Sequence, residues 1–351
     1  MSTASLRDPI VRWLLLVAGV VGFMVVVGGY VRLSRAGLSI VEWDPITGVL
    51  PPLSDAAWRE SFAAYQKTPE YRIVNAGMTL AEYRRIFLIE WGHRLLARIA
   101  GLAVVVPLVV LMWRRRLGVR ASLPYWGLVA LFGLQGALGW VMVASGLVDR
   151  PAVSHLRLTL HLLVALTILG VALWMALDRL GAAEGGAVDE GLRLGSWLLG
   201  GVIVVQIALG GFVAGLKAGH VSSTWPLMFG YLVPPGVWGG AVGWWERLGT
   251  PLTAHWTHRW FALVVLAVAV AVAAAYRRQA DAPAPARAAA TVLAGVVAVQ
   301  VALGIGVVVY GVPMWLALVH QGTGVVVFAL GVVVLHAAVR TRRASPVAVA
   351  V

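Results

Sequence analysis

Eight long apolar runs govern what this chain can become. They lie at about 11–32, 87–113, 122–145, 154–177, 194–215, 254–276, 288–310 and 314–339. A bilayer takes ~20 apolar residues to cross as a helix, and each run reaches that length. Hydrocarbon offers no water to the backbone, so each run must satisfy its own N–H and C=O groups. The expected fold class is all-α, a polytopic membrane protein with eight transmembrane helices. Composition agrees, with 60% hydrophobic and 12% charged residues among 351. The first run is long enough to remain as a span, so no cleaved leader is expected.

The net charge of +13 would suit a nucleic-acid binder if it lay on a polar domain, and no such domain exists. The basic residues instead cluster at the ends of the runs. Arg114, Arg115, Arg116 and Arg120 follow the second run; Arg277, Arg278 and Arg287 follow the sixth; Arg340, Arg342 and Arg343 follow the last. Arg7, Arg12, Arg179 and Arg193 fall on the same side if the number of spans is even. The opposite short connections hold only Arg150, beside Asp149, and nothing charged around Pro313. Basic residues favour the cytoplasmic side, so both termini are expected there. Two long connections, 33–86 and 216–253, would then face outward. They are rich in Trp, Pro and Gly and are expected to be folded caps.

The halves repeat each other. Gly28-Gly29-Tyr30-Val31 with Arg35-Ala36-Gly37 returns as Gly210-Gly211-Phe212-Val213 with Lys217-Ala218-Gly219. Trp43 matches Trp225, and Pro51-Pro52 matches Pro234-Pro235. Glu90-Trp91-Gly92-His93-Arg94 matches His255-Trp256-Thr257-His258-Arg259, and Gln135 to Gly139 matches Gln300 to Gly304. The unit is four helices, and an even number of spans gives both units one orientation. Two four-helix bundles related by a pseudo-twofold axis along the membrane normal are expected. Their bounds are 1–180, with outer loop 33–86, and 181–351, with outer loop 216–253.

Four histidines occupy matched places in this repeat: His93 and His161, then His258 and His320. Each sits six or seven residues past the expected outer boundary, roughly 10 Å deep. Two imidazoles at one level on facing helices can grip a flat macrocycle from both sides, and bundle cores commonly hold cofactors this way. With no cysteine in the chain, disulfides, iron–sulfur clusters and thiolate sites are excluded, and histidine is the main soft ligand. For a lone histidine, a bond to a neighbouring carbonyl is the plainer reading. Four in matched pairs at membrane depth favour a ligand role, because intramembrane ionisable groups are costly and usually functional.

His155 is expected to be interfacial, His336 a boundary residue, and His220 lies in an outer loop. His255 stands where the first half has Glu90, three residues before His258 and on the same face. Glu90 bears the same relation to His93. It is either paired with Arg94 or Arg85, or placed beside the edge of a bound macrocycle. Arg94, Arg98 and Arg259 could hold haem propionates or snorkel to the interface. The glycines at 136, 139, 304 and 306 are read as close-packing surfaces.

At these residues the chain resembles the haem A synthase family in its proteobacterial and mitochondrial form. The resemblance covers nearly all of the chain. It rests on Gly37-Leu38-Ser39-Ile40-Val41-Glu42-Trp43-Asp44-Pro45 through Gly48-Val49-Leu50-Pro51-Pro52, on Tyr65-Gln66 and Pro69-Glu70-Tyr71, and on Phe87-Leu88-Ile89-Glu90-Trp91-Gly92-His93-Arg94. Arg157-Leu158 before His161, and His258-Arg259, fit the other ligand motifs. The resemblance implies that His93 and His161 hold substrate haem O, that His258 and His320 hold a permanent haem B, and that Glu90 is the catalytic carboxylate. The implied reaction oxidises the C8 methyl of haem O to a formyl group, giving haem A for cytochrome oxidase. A farnesyltransferase supplying haem O, an unidentified electron acceptor and the lipid bilayer are the implied partners, and a homo-oligomer is compatible. The implied location is the bacterial inner membrane, with the haem sites toward the outer face. Other branches of the family carry a cysteine pair in the outer loop; here a loop thiol cannot be required. The residues before His258 depart from the family pattern, which leaves His255 open.

Two other classes compete. A di-haem b-type membrane electron carrier without haem modification explains the histidines equally well. It does not explain Glu90 in one half only, nor the long caps. A transporter with parallel repeats predicts broken helices and polar residues at mid-membrane, and neither is evident.

Overall fold

The computed structural model describes residues 5–44, 47–147, 151–182, 186–238 and 243–343. Pro45, Asp149 and Arg150, used above, lie outside them. The described residues form eleven α-helices: α1 (Pro9–Leu33), α2 (Asp55–Tyr65), α3 (Pro69–Ile73), α4 (Leu80–Trp113), α5 (Val119–Leu147), α6 (His155–Leu180), α7 (Glu190–Gly215), α8 (Trp244–Leu248), α9 (Pro251–Arg278), α10 (Ala284–Val309) and α11 (Met314–Arg340). Eight of them, α1, α4, α5, α6, α7, α9, α10 and α11, are long and apolar enough to cross a membrane. A short parallel pair, Ala187–Val188 with Arg342–Arg343, is the only sheet among the described residues.

One span begins well before its apolar run. The run starts near residue 87, whereas α4 starts at Leu80. Thr79 accepts the Glu82 N–H, and Glu82 reaches back to the Thr79 N–H, a reciprocal cap that starts the helix in polar sequence. The added turns carry Tyr83 and Phe87 into an aromatic cluster with Tyr65, Trp58, Phe62 and Tyr71. The Tyr65 and Tyr83 rings stack at 5.1 Å, and Phe62 lies 5.0 Å from Tyr83. This cluster folds the connection 33–86 onto α4, as the cap expectation requires. Burial pushes the Tyr65 phenol up from its ordinary value, although a bond from the Asn75 amide pulls it the other way.

The chain divides into two compact units, Val20–Ile168 and Met1–Gly19 with Leu169–Val351. In the second unit, α7 packs on α9 and α11, and α10 packs on α9 and α11, closing a ring of four. Its core interleaves Leu199, Ile203, Leu293 and Val297 with small residues such as Ala269 and Ala290. Small side chains let helices approach closely where lipid supplies no hydrophobic drive. At the end of this unit away from the long connection, His336 is buried, 2% exposed, and bonds Asp178 at 2.9 Å; Arg340 bonds the same carboxylate at 2.6 Å. His336 thus lies near the end of α11, where the sequence expects it, and is packed inside the unit. In the first unit α4 packs on α5, with α2 against α4 and α3 against α5.

The repeat is visible in local backbone. The residues after α1 and α7 turn through left-handed conformations at matched positions, Arg35 (φ 52) and Lys217 (φ 54). Both turns release the chain into a long connection.

Candidate functional site

In the second unit, His258 on α9 and His320 on α11 face each other with ring centres 6.5 Å apart and planes at 84°. An iron held between two imidazoles has each nitrogen ~2 Å away, which sets ring centres about 6 Å apart. The observed separation is close to that spacing. Nδ1 of His258 and of His320 is buried without a hydrogen-bond partner, as is Nδ1 of His161. In the first unit, His93 lies on α4 and His161 on α6.

Each histidine packs against a glycine on a neighbouring helix. A Cβ built on Gly139 would lie 3.1 Å from His161 Cε1, on Gly210 3.1 Å from His258 Cε1, and on Gly304 3.0 Å from His320 Cε1. On Gly28 it would lie 3.4 Å from His93 Nε2. At Gly139, Gly210 and Gly304 a side chain would crowd the ring, whereas at Gly28 it would meet His93 at ordinary contact distance. Three of these glycines follow a glutamine by four residues: Gln135, Gln206 and Gln300. The Gln135 amide lies 3.2 Å from His161 Nε2, and the Gln300 amide 3.4 Å from His320 Nε2. Gln206 and Gln300 also donate to the backbone carbonyls of His258 and His320, at 3.0 and 2.9 Å. The glutamines had not been singled out from sequence, and Gly139 and Gly304 were read as helix packing. The signal was there as a Gln-x3-Gly spacing recurring one helix away from a histidine; the fourth copy has Met24 before Gly28.

Glu90 is buried, 3% exposed, in the first unit. Its Oε2 accepts from the Ser39 N–H (2.8 Å), the Ser39 hydroxyl (2.7 Å) and the Ile40 N–H (3.0 Å). Its Oε1 accepts from Arg94 Nη2 (2.6 Å) and Nε (3.2 Å). Of the two readings of Glu90, the pair with Arg94 is present, and the connection 33–86 supplies the other donors. Arg94 also donates to the Ile40 and Glu42 carbonyls and lies 5.6 Å from the Trp43 ring centre. Arg98 donates to the Asp44 carbonyl at 2.7 Å. Both arginines thus tie the connection to α4.

The second unit repeats the tie without the acid. Arg259 donates to the Thr224 carbonyl and lies 5.5 Å from the Trp225 ring centre. Trp256 donates to the Leu232 carbonyl at 2.8 Å, as the matching Trp91 does to Val49 at 3.2 Å. His255, at the place of Glu90, is 2% exposed, and neither ring nitrogen has a partner. Of the remaining histidines, His155 opens α6 and His220 closes a short 3-10 turn, Ala218–His220.

Eight helices long and apolar enough to cross a membrane, with His258 and His320 facing each other in one four-helix ring, define the class: a multi-pass membrane protein. Residues 11–332 match the family model described as cytochrome oxidase assembly protein, and the chain belongs to that family. It is 46% identical over 341 residues to a protein named heme A synthase from Methylobacterium sp. (strain 4-46), covering 95% of this chain and 93% of that one. It is 43% identical over 334 residues to the heme A synthase of Sphingopyxis alaskensis, covering 93% and 90%. It is 44% identical over 326 residues to that of Rhodopseudomonas palustris (strain BisA53), covering 92% and 89%.

Proposed function

We infer that the chain is a haem A synthase, an oxidoreductase that converts the C8 methyl of haem O to the formyl group of haem A for cytochrome oxidase. The observation that carries this reading is a matched pair of histidine sites of which only one has a carboxylate built beside it. The names of the relatives agree with it. A plain electron carrier would have no use for that difference. Within this reading, residues 1–180 form the substrate half, with haem O between His93 and His161. Residues 181–351 form the half that keeps haem B between His258 and His320.

The bound macrocycle supplies the reacting methyl and the redox-active iron. His93 and His161 fix its plane, and Gly28 and Gly139 set how far each ring can lean. With both histidines holding the macrocycle, the residues left to act on it would be those beside its edge. Glu90 is the catalytic carboxylate, one helical turn from His93 and held by Ser39, Ile40 and Arg94. Its five accepted bonds suit the ionised carboxylate, so it would supply a fixed negative charge beside the macrocycle as electrons and protons are removed from the methyl. His258 and His320 would hold haem B, which would supply a one-electron redox centre between the substrate half and an electron acceptor, and a farnesylating enzyme would supply haem O. Both termini are cytoplasmic and both sites lie toward the outer face of the bacterial inner membrane, on the basic-residue asymmetry.

Glu90→Gln keeps the volume and changes the charge. It is expected to retain both haems and to lower haem A formation by on the order of 10²-fold. Mass spectrometry of haems extracted from cells that also make haem O reads both quantities. Normal haem A output from this variant would remove Glu90 from the mechanism.

A further inference from the structure

We propose that Arg259, with His255 beside it, forms a carboxylate-binding subsite that takes a propionate arm of the haem held between His258 and His320; this rests on the haem reading above. The argument begins from the pair of matched arginines. Arg94 and Arg259 each donate to a carbonyl of the long connection and each lie over its tryptophan. Beyond that tie, Arg94 spends Nε and Nη2 on Glu90. Arg259 has no such partner. It is 6% exposed, and its Nε and Nη1 are buried with nothing to donate to.

Among the described residues no acid takes the place of Glu90 beside Arg259. His255 stands in for the acid, and Val221 stands where Ser39 would be by the alignment of Lys217-Ala218-Gly219 with Arg35-Ala36-Gly37. Four buried nitrogens, two on Arg259 and both ring nitrogens of His255, are therefore left unpartnered on one helix face, four residues apart. Arginine stays protonated in proteins, and a buried cation without a counter-ion is costly. A guanidinium fork matches a carboxylate, and a neutral imidazole adds one further N–H donor. Arg259 follows His258 directly and reaches toward the long connection, so the carboxylate arms of a macrocycle at His258 are the nearest anions the proposed function supplies. In the first half the same arginine position is occupied internally by Glu90. The subsite thus gives the second half a hold on its haem that the first half lacks, which suits a resident cofactor against a substrate that must leave.

The test titrates detergent-purified full chain carrying His161→Ala, which leaves the second pair as the one complete histidine pair. The probes are haem B and its dimethyl ester, followed by Soret absorbance. The parent should prefer the acid over the ester by roughly tenfold or more. Arg259→Met should lose that preference by weakening haem B alone. His255→Glu, which gives Arg259 an internal acid as in the first half, should lose it too, and it serves where Arg259→Met does not fold. A preference undiminished in these variants, with water satisfying the nitrogens instead, overturns the proposal. His258→Ala separates the two levels of inference: if it binds haem B as the parent does, the histidine reading itself has failed; if it does not, only the carboxylate subsite is at stake.

Discussion

The two connections are pinned to their ligand helices by the same devices, and the chemistry beneath them differs at one residue. Trp91 and Trp256 each donate to a loop carbonyl, Arg94 and Arg259 each donate to another, and each arginine lies over a loop tryptophan. Under this shared frame the first half has Glu90 closed off by Ser39, Ile40 and Arg94. The second half has His255 with no partner at all. A scaffold that seats a histidine ligand can therefore be kept while the group beside the ligand is exchanged. The residue aligned with Ser39 in the second connection is Val221, which has no side-chain donor, so the loop position changes along with Glu90 to His255.

The strongest way to break the comparison is to remove one ligand from each half. A pair that has lost an imidazole cannot hold iron from both sides, and the other half has its own core. His320→Ala is expected to abolish the resident haem B signal and leave haem O binding in the first half. His161→Ala is expected to do the reverse. Reduced-minus-oxidised spectra with pigment extraction check both. Loss of all haem from either single variant would mean that the halves do not act as separate sites.

A sharper contrast lies in the glycine seats. Gly304 leaves 3.0 Å between a would-be Cβ and His320 Cε1, tight enough that the imidazole would have to give by a few tenths of an ångström. At Gly28 the corresponding gap to His93 is 3.4 Å, an ordinary contact. Overpacking of this kind costs typically ~1–3 kcal/mol, so Gly304→Ala should weaken haem retention by about tenfold. Gly28→Ala should leave it nearly unchanged. Equal effects in the two variants would show that His93 is seated as tightly as the other three ligands.

The spans were legible because hydrocarbon imposes a length and a composition that few other sequences meet. Matched positions such as Trp91 with Trp256 were legible because a duplicated unit keeps its spacing. The start of α4 was not, since Leu80 to Ile86 is mostly polar and is held by a cap at Thr79 and by the aromatic cluster around Tyr65. Glu90 could be flagged as a costly buried acid. Its partner Ser39 could not, being fifty-one residues away in a connection without periodicity. The glycines facing the histidines look in sequence like any small-residue helix surface. Only the direction of the imidazoles tells the two uses apart.

The smallest effect concerns the glutamines and separates His93 from the other ligands. Gln135 and Gln300 each place an amide within 3.4 Å of a ligand ring nitrogen, and Gln300 also bonds the His320 carbonyl. A partner of this kind orients an imidazole and is worth about 1 kcal/mol. Gln135→Leu and Gln300→Leu are therefore expected to weaken haem retention by roughly fivefold, with a small change in midpoint potential and no loss of the bis-histidine spectrum. The matching position on α1 is Met24, an apolar side chain that offers no donor. Met24→Leu keeps that character and should alter nothing measurable. A fivefold loss from Met24→Leu as well would assign the effect to helix packing, and the glutamines would then have no part in orienting the ligands.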